Sequence, residues 1–212
     1  MAARCGADNR ESARIIRGNV WASPISPNAL AALSRTKESP SLFVTRPVNT
    51  HIFAPFLVAR LEEHPAVRDR ALLYEVTIEN LGETGKRSLP LMLAWTEAMV
   101  PPIPLAAQLE YITEAAACGL ALAALSHLTA AVLVDVADRG DRFDYIVEVN
   151  GIQCGLEISG SQTLEKRVLR ERHEQKIEQL LDNPQHWGGF VAIVGFMRRE
   201  IILSYHDAGE AT

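Results

Sequence analysis

The chain contains little cysteine. Its three cysteines, Cys5, Cys118 and Cys154, are an odd number at wide spacing, and none belongs to a C-x2-C pair. This pattern argues against a disulfide framework and against a structural zinc site of the usual spacing. We therefore expect a protein of the reducing cytoplasm.

Long apolar runs are also missing. The most apolar stretch, Gly119–Val134, is interrupted by Ser126 and His127, and it is shorter than the ~20 apolar residues that a helix needs to cross a bilayer. The arginine-containing start lacks the continuous apolar segment of a secretory signal. The sequence predicts no membrane span and no membrane partner.

A strong excess of charge is the third absence. The chain has 21 Lys and Arg residues against 26 Asp and Glu residues, and 48 % of its residues are hydrophobic, which is typical of a globular protein. Residues 107–212 hold 9 basic against 16 acidic residues. An acidic half argues against tight non-specific DNA binding unless the two signs of charge lie on different faces.

Proline and composition divide the chain into four parts. Residues 1–41 are predicted to be a flexible arm, and residues 42–104 an N-terminal extension of mixed helix and strand. Residues 105–207 are predicted to form the main domain, followed by a tail at 208–212. The boundary is placed in Pro90–Pro104, because proline removes a backbone donor and cannot continue a helix.

The sequence of the main domain predicts helices and strands in the order αβββαββ. The Asn150-Gly151 pair is a hairpin signal, because both residues tolerate positive φ in a tight turn. The predicted elements are a helix at Leu105–Leu128, strands at Leu128–Val136, Phe143–Val149 and Ile152–Ser159, a helix at Gln162–Leu181, and strands at Phe190–Phe196 and Ile201–Tyr205. Leu164, Val168, Leu169, Ile177, Leu180 and Leu181 form the apolar face predicted for the second helix.

Two carboxylates are predicted to face each other across the hairpin. Counted outward from the turn, Asp144 stands opposite Glu157, and such cross-strand neighbours have Cβ atoms about 5 Å apart. Two adjacent carboxylates repel unless a positive charge lies between them. A divalent cation, Mg²⁺ or Mn²⁺, fits oxygen ligands of this kind. The alternative is a solvated hairpin face on which two carboxylates happen to align.

The segments Phe143–Val147 and Gly155–Ser161 resemble the PD-(D/E)xK nuclease superfamily, which has the restriction-endonuclease-like fold. The resemblance implies an α/β fold with an αβββαβ core, in which helices flank a mixed sheet, beside a less regular N-terminal region. It implies metal binding by Asp144 and Glu157 with help from the Ile158 carbonyl. Glu114 on the preceding helix lies where many members have a further acidic residue.

The chain departs from that family at Ser159, where the family has a catalytic lysine. A neutral hydroxyl cannot supply the positive charge. Some members take this lysine from the following helix, where Lys166 is the nearest candidate and Arg167 and Arg170 are further ones. The resemblance thus implies a metal-dependent DNA or RNA nuclease impaired at the lysine position.

Two other functions remain open at this point. The first is a catalytically inactive nuclease-like module that binds a protein or nucleic acid partner. The second is an α/β domain unrelated to nucleases, in which the two carboxylates are incidental. The acidic composition of the main domain favours the inactive module over the enzyme.

Overall fold

A computed structural model describes residues 15–16, 50–68, 70–81, 85–95, 108–183 and 187–207 of the chain. Nearly all of the predicted arm, the boundary at residue 104 and the predicted tail lie outside these ranges.

The described residues form one mixed β-sheet flanked by helices, which confirms the α/β class. Seven strands and a two-residue edge strand lie in the order β1-β3-β2-β8-β7-β6-β5-β4. The strands are β1 (Ile15–Ile16), β2 (Ala71–Glu79), β3 (Arg87–Ala94), β4 (Val132–Val136), β5 (Tyr145–Val149), β6 (Ile152–Ser161), β7 (Gly189–Gly195) and β8 (Glu200–His206). The helices are α1 (Ala54–Glu62, after a 3-10 turn at Thr50–Phe53), α2 (Leu109–Thr129) and α3 (Lys166–Leu181). From α2 onward the order is αβββαββ, as the sequence predicts.

The helices cover the two faces of the sheet unequally. Helices α1 and α2 pack on one face, against strand residues such as Leu156 and Ile158. Helix α3 packs on the other face, against Val191 and Ile193. The pair β6 and β7 is parallel and lies between these layers, which is why both strands are buried along most of their length.

Helix α2 is apolar around most of its circumference. By length and composition it is the one helix in the described ranges that is able to cross a membrane, and 56 % of its most apolar window is buried within the fold. The core helix of a folded domain passes the same test, because a helix that packs on a sheet and on a second helix has little solvated surface. The absence of a membrane partner stays a prediction.

The central hairpin has the predicted register. Asn150 and Gly151 have φ values of 54° and 82°, and β5 pairs with β6 from Val149–Ile152 to Tyr145–Leu156. The turn prediction is therefore confirmed. Asp144 does not continue this pairing, because its amide donates to the Leu156 carbonyl at 3.0 Å. Its carboxylate is nevertheless close enough to Glu157 to raise the pKa of that residue.

The predicted junction between the first helix of the domain and the next strand is wrong. Helix α2 continues to Thr129, and β4 begins only at Val132. The change of direction occurs at Ala130, which adopts a left-handed conformation with φ of 56°. No glycine or proline marks this point, and an alanine in an apolar run gives no sequence signal for a helix end.

Strand β3 was not predicted, because it contains a proline and overlaps the proposed boundary segment. In the structure Pro90 lies opposite Glu75 of β2. On its other side β3 pairs with β1 only at Met92 and Leu93, so Pro90 needs no donor in that direction. Since β2 also pairs with β8, strands from before and after residue 104 lie in one sheet.

The close approach of β6 and β7 makes a prediction about Gly189. A Cβ atom at this residue would lie 2.8 Å from the carbonyl carbon of Gly155, which is backbone and cannot move aside. We expect Gly189→Ala to lower the free energy of unfolding by about 3 kcal/mol in urea denaturation. Gly85→Ala is the control, because nothing lies within 4 Å of its added Cβ and only its φ of +65° is unfavourable, at about 1 kcal/mol. Equal midpoints for the two variants would contradict this packing.

Candidate active site

The site lies where β5 and β6 separate. Pairing with β5 ends at Leu156, whereas β6 continues beside β7 as far as Ser161. Among the residues that the structure describes, one edge of β6 therefore has no strand partner beyond Leu156. Asp144 fills the first position on this edge, since its Oδ2 accepts a hydrogen bond of 2.8 Å from the Ile158 amide. The Ile158 carbonyl points to the same edge, because the N–H and C=O of one strand residue face the same neighbour.

Glu114 fills the next position on the same edge. Its Oε2 accepts a hydrogen bond of 3.2 Å from the Gly160 amide. Helix α2 comes this close because Gly160 has no side chain, and a Cβ atom there would lie 2.9 Å from the Thr113 carbonyl oxygen. Desolvation raises the pKa of the Glu114 carboxyl, and the Gly160 amide opposes that rise.

Glu157 is the buried member of the site. Its side chain lies on the face of the sheet that α3 covers, and it is 0 % exposed. Its Oε1 forms an ion pair with the ammonium of Lys176. Within the described ranges its Oε2 is buried and receives no hydrogen bond. Burial, and then the charge of Asp144, raise the pKa of Glu157 to about 7, although Lys176 opposes both.

Asp144 lies at the solvent-facing side of the same pair. The residue is exposed, yet desolvation of its carboxylate raises its pKa above the ordinary value. The Ile158 amide and the charge of Lys176 oppose this rise. The Asp144 carboxylate thus faces solvent and the Glu157 carboxylate faces the interior. The charge of Lys176 lowers the pKa of both groups.

The lysine that contacts Glu157 is Lys176, whereas the predicted candidate Lys166 pairs with another carboxylate. The Lys166 ammonium lies 3.3 Å from Glu200 and is largely exposed at the start of α3. The further candidates also have other partners, since Arg167 pairs with Glu171 and Arg170 with Glu79. Lys176 lies almost three turns further along the helix, where it reaches Glu157 and also donates to Gln179 Oε1 at 3.2 Å.

A helical period in the sequence would have identified Lys176. The buried residues of α3 are Leu169, His173 and Leu180. Lys176 lies three residues after His173 and four before Leu180, so it belongs to the same face of the helix. A lysine on a buried stripe needs a partner, which Glu157 provides. The predicted apolar face was centred differently, and two of its residues, Leu164 and Leu181, are exposed.

Arg172 lies one turn before Lys176, and it is also absent from the sequence-based candidates for the missing lysine. Its Nη1 donates to the Gly160 carbonyl at 2.8 Å and to Ser159 Oγ at 3.3 Å. A guanidinium group therefore reaches the position where the nuclease family has its lysine side chain. Ser159 acts as one of its acceptors.

A divalent cation at this site would have few protein ligands. A buried carboxylate oxygen without a donor is unfavourable unless a proton or a cation satisfies it, and Glu157 Oε2 is such an oxygen. Asp144, whose charge raises the pKa of Glu157, and the Ile158 carbonyl on the open edge would supply further hard oxygen atoms. No group of three or more His, Cys, Asp or Glu side chains in the described part of the chain is arranged to hold a metal. Glu114, which binds the Gly160 amide, therefore does not form a third carboxylate ligand in this arrangement.

A second polar cluster lies between α3 and β8. His173 Nε2 lies 2.8 Å from Ser204 Oγ, which lies 2.7 Å from His206 Nε2. Burial lowers the pKa of His173 to about 4, so this ring is neutral at pH 7. The cluster satisfies the polar groups of buried side chains, which is the structural role expected of an isolated histidine.

The chain was compared with protein-family models, with curated proteins and with solved structures, and none of them matched. Its function is therefore inferred from the geometry and the electrostatics of the site.

Proposed function

We propose that this chain is a metal-dependent nuclease of the restriction-endonuclease-like fold, acting on the phosphodiester bonds of DNA or RNA. The metal is Mg²⁺ or Mn²⁺, and its ligands are Asp144, Glu157 and the Ile158 carbonyl. One observation carries the proposal. The buried Glu157 carboxylate has a lysine on one oxygen and no donor on the other, and it lies beside a second carboxylate at a separated strand edge.

The element order of the domain supports this assignment. Helix α2, the antiparallel strands β4, β5 and β6, helix α3 and the parallel strand β7 follow one another, as in the αβββαβ core of that fold. Asp144 precedes the second of these strands and Glu157 lies on the third. Lys176 takes over the charge that the family places two residues after the acidic residue.

Each residue has a chemical role in this proposal. A bound divalent cation supplies Lewis acidity and positions water at the phosphodiester. Asp144 and Glu157 hold the cation and orient it toward the open side of β6. The Lys176 ammonium lies beside Glu157 and stabilises negative charge that develops on the phosphate, as preorganised cations do in phosphoryl chemistry.

The catalytically inactive module is the second candidate, and one contact favours it. The Lys176 ammonium already gives Glu157 a direct counter-charge, so the buried carboxylate is partly compensated without a metal. The two functions differ in metal binding. A nuclease site binds Mn²⁺ through Glu157, whereas an inactive module keeps the ion pair and binds none.

The direct experiment is a cleavage assay on single-stranded DNA, duplex DNA and RNA with Mg²⁺ or Mn²⁺. We expect cleavage of at least one of these polymers by the unaltered chain and none after chelation of the metal. Absence of cleavage on all three polymers, together with absence of Mn²⁺ binding, would favour the inactive module.

Metal binding is expected to depend on pH. The pKa of Glu157 is raised to about 7, and a carboxylate must lose its proton to bind a cation. Below pH 7 most Glu157 is protonated, so the affinity for Mn²⁺ should rise roughly tenfold per pH unit and level off above about pH 7. Titration calorimetry at several pH values measures this slope.

The matched control for that titration is Glu148→Gln, which makes the same substitution on the neighbouring strand β5. It should keep the pH dependence of the unaltered chain. An affinity for Mn²⁺ that is constant between about pH 5 and 7 would show that Glu157 does not bind the metal.

A further inference from the structure

Arg172 crosses the unpaired edge of β6. Its Nη1 donates both to the Gly160 carbonyl oxygen, at 2.8 Å, and to Ser159 Oγ, at 3.3 Å. The residue is partly buried. These contacts hold the guanidinium against the open edge of β6, beside Ser159, which lies two residues after Glu157 on that strand.

The charge of Arg172 differs from that of the other basic residues on α3. Each of the others forms an ion pair with a carboxylate. The pairs are Lys166 with Glu200, Arg167 with Glu171, Arg170 with Glu79, and Lys176 with Glu157. The hydrogen bonds of Arg172 within the described ranges go to uncharged oxygens. Its positive charge is felt by Glu114, whose pKa it lowers against the effect of burial.

A guanidinium group held in this way suits a phosphate. It has five N–H donors in one plane, and two parallel donors match two phosphate oxygens. Both contacts use Nη1, and within the described ranges the Nε and Nη2 donors of Arg172 have no acceptor. Two residues of strand span about 7 Å, so a phosphate bound here is a near neighbour of the cation that Asp144 and Glu157 would hold.

We infer that Arg172 is a substrate-binding residue that holds a backbone phosphate of the nucleic acid next to the scissile one. This inference rests on the proposed nuclease function. It predicts recognition of the sugar-phosphate backbone and not of base sequence, because phosphate contacts carry no sequence information. The Arg172 guanidinium would also give this acidic domain a local positive charge with which to bind a polyanion.

The test is binding of labelled oligonucleotides to the full chain in Ca²⁺, which occupies oxygen sites without supporting cleavage. Single-stranded DNA, duplex DNA and single-stranded RNA serve as three probes, and fluorescence anisotropy is measured between about 50 and 200 mM KCl. Arg172→Met should weaken binding about tenfold at the lower salt concentration, and it should reduce the slope of log affinity against log salt by about 0.7 to 0.9. Arg172→Lys keeps the charge and should recover most of the slope.

Arg167→Met is the matched control, since it removes an arginine from the outer face of the same helix. It should leave affinity and slope unchanged. An Arg172→Met variant that binds as the unaltered chain does, or that loses affinity with an unchanged salt slope, would overturn the inference, because a merely structural role does not alter counterion release. Absence of binding to all three probes would overturn it as well.

The binding test separates this inference from the nuclease proposal. A chain that binds through Arg172 but cleaves nothing would refute the nuclease and leave the phosphate contact standing. A chain that cleaves normally as Arg172→Met would refute the phosphate contact and leave the nuclease standing.

Discussion

Glu157→Gln is expected to lower metal-dependent cleavage by about 10³- to 10⁴-fold, because a ligand of a catalytic cation contributes several kcal/mol to transition-state stabilisation. Glutamine has nearly the same shape and size, so the packing around this buried side chain is retained. It cannot carry the negative charge that Glu157 supplies. Cleavage rates at saturating Mn²⁺, measured beside the melting temperature of each variant, test this expectation.

Two comparisons make the Glu157 experiment decisive. Glu148→Gln removes a carboxylate from the neighbouring strand β5 and should keep full activity. Asp144→Asn removes the second ligand and should lose activity to a similar extent. If cleavage persists in both site variants, the activity belongs to a contaminant, and the nuclease proposal fails for this site.

Lys176→Met is the second substitution with a large expected effect. We expect a loss of about 10²- to 10³-fold in kcat, since removal of one preorganised cation from a reaction centre has this magnitude. Lys166→Met should retain activity within about twofold, because an exposed ion pair such as Lys166 with Glu200 contributes little. The two variants compare Lys166, which is nearer to Glu157 in the sequence, with Lys176, which contacts Glu157 in the structure.

A measurement of metal affinity accompanies the Lys176 experiment. Lys176→Met removes a group that lowers the pKa of Glu157, so the measurement is made well above pH 7, where the carboxylate is ionised. There Glu157 has lost its partner, and Mn²⁺ should bind at least as tightly as before. Equal activity losses for the two lysine variants would contradict the role of Lys176, as would normal activity in Lys176→Met. Retained Mn²⁺ binding with lost turnover would agree with it.

The hairpin could be predicted from sequence because its determinants are local. Asn150 and Gly151 admit the positive φ of a tight turn, and the turn alone sets which residues face each other. The pairing of β5 with β6 as far as Tyr145–Leu156 therefore followed from counting, whereas Asp144 departs from it because its amide donates to the Leu156 carbonyl.

The cation of the site could not be located by sequence distance. Lys166 is nine residues from Glu157 and Lys176 is nineteen, but α3 crosses the sheet so that its second half lies over β6. The direction of that crossing depends on tertiary packing of Leu169 near Gly195 and Leu180 near Gly155. Neither contact has a local signal.

The ends of elements were missed for a related reason. Ala130 ends α2 in a left-handed conformation that alanine rarely adopts, so packing on the sheet outweighs the local preference. Pro90 argues against a strand, but it is tolerated where β3 has only a short outer neighbour. Tertiary context decided both positions.

The unpaired edge of β6 has a consequence for solubility. An open strand edge with exposed N–H and C=O groups can pair with another chain and start aggregation. Asp144 and Glu114 occupy the Ile158 and Gly160 amides of this edge, and Arg172 occupies the Gly160 carbonyl. Asp144, Glu114 and Arg172 thus also protect the strand from intermolecular pairing, so this edge can stay open for substrate without recruiting another chain.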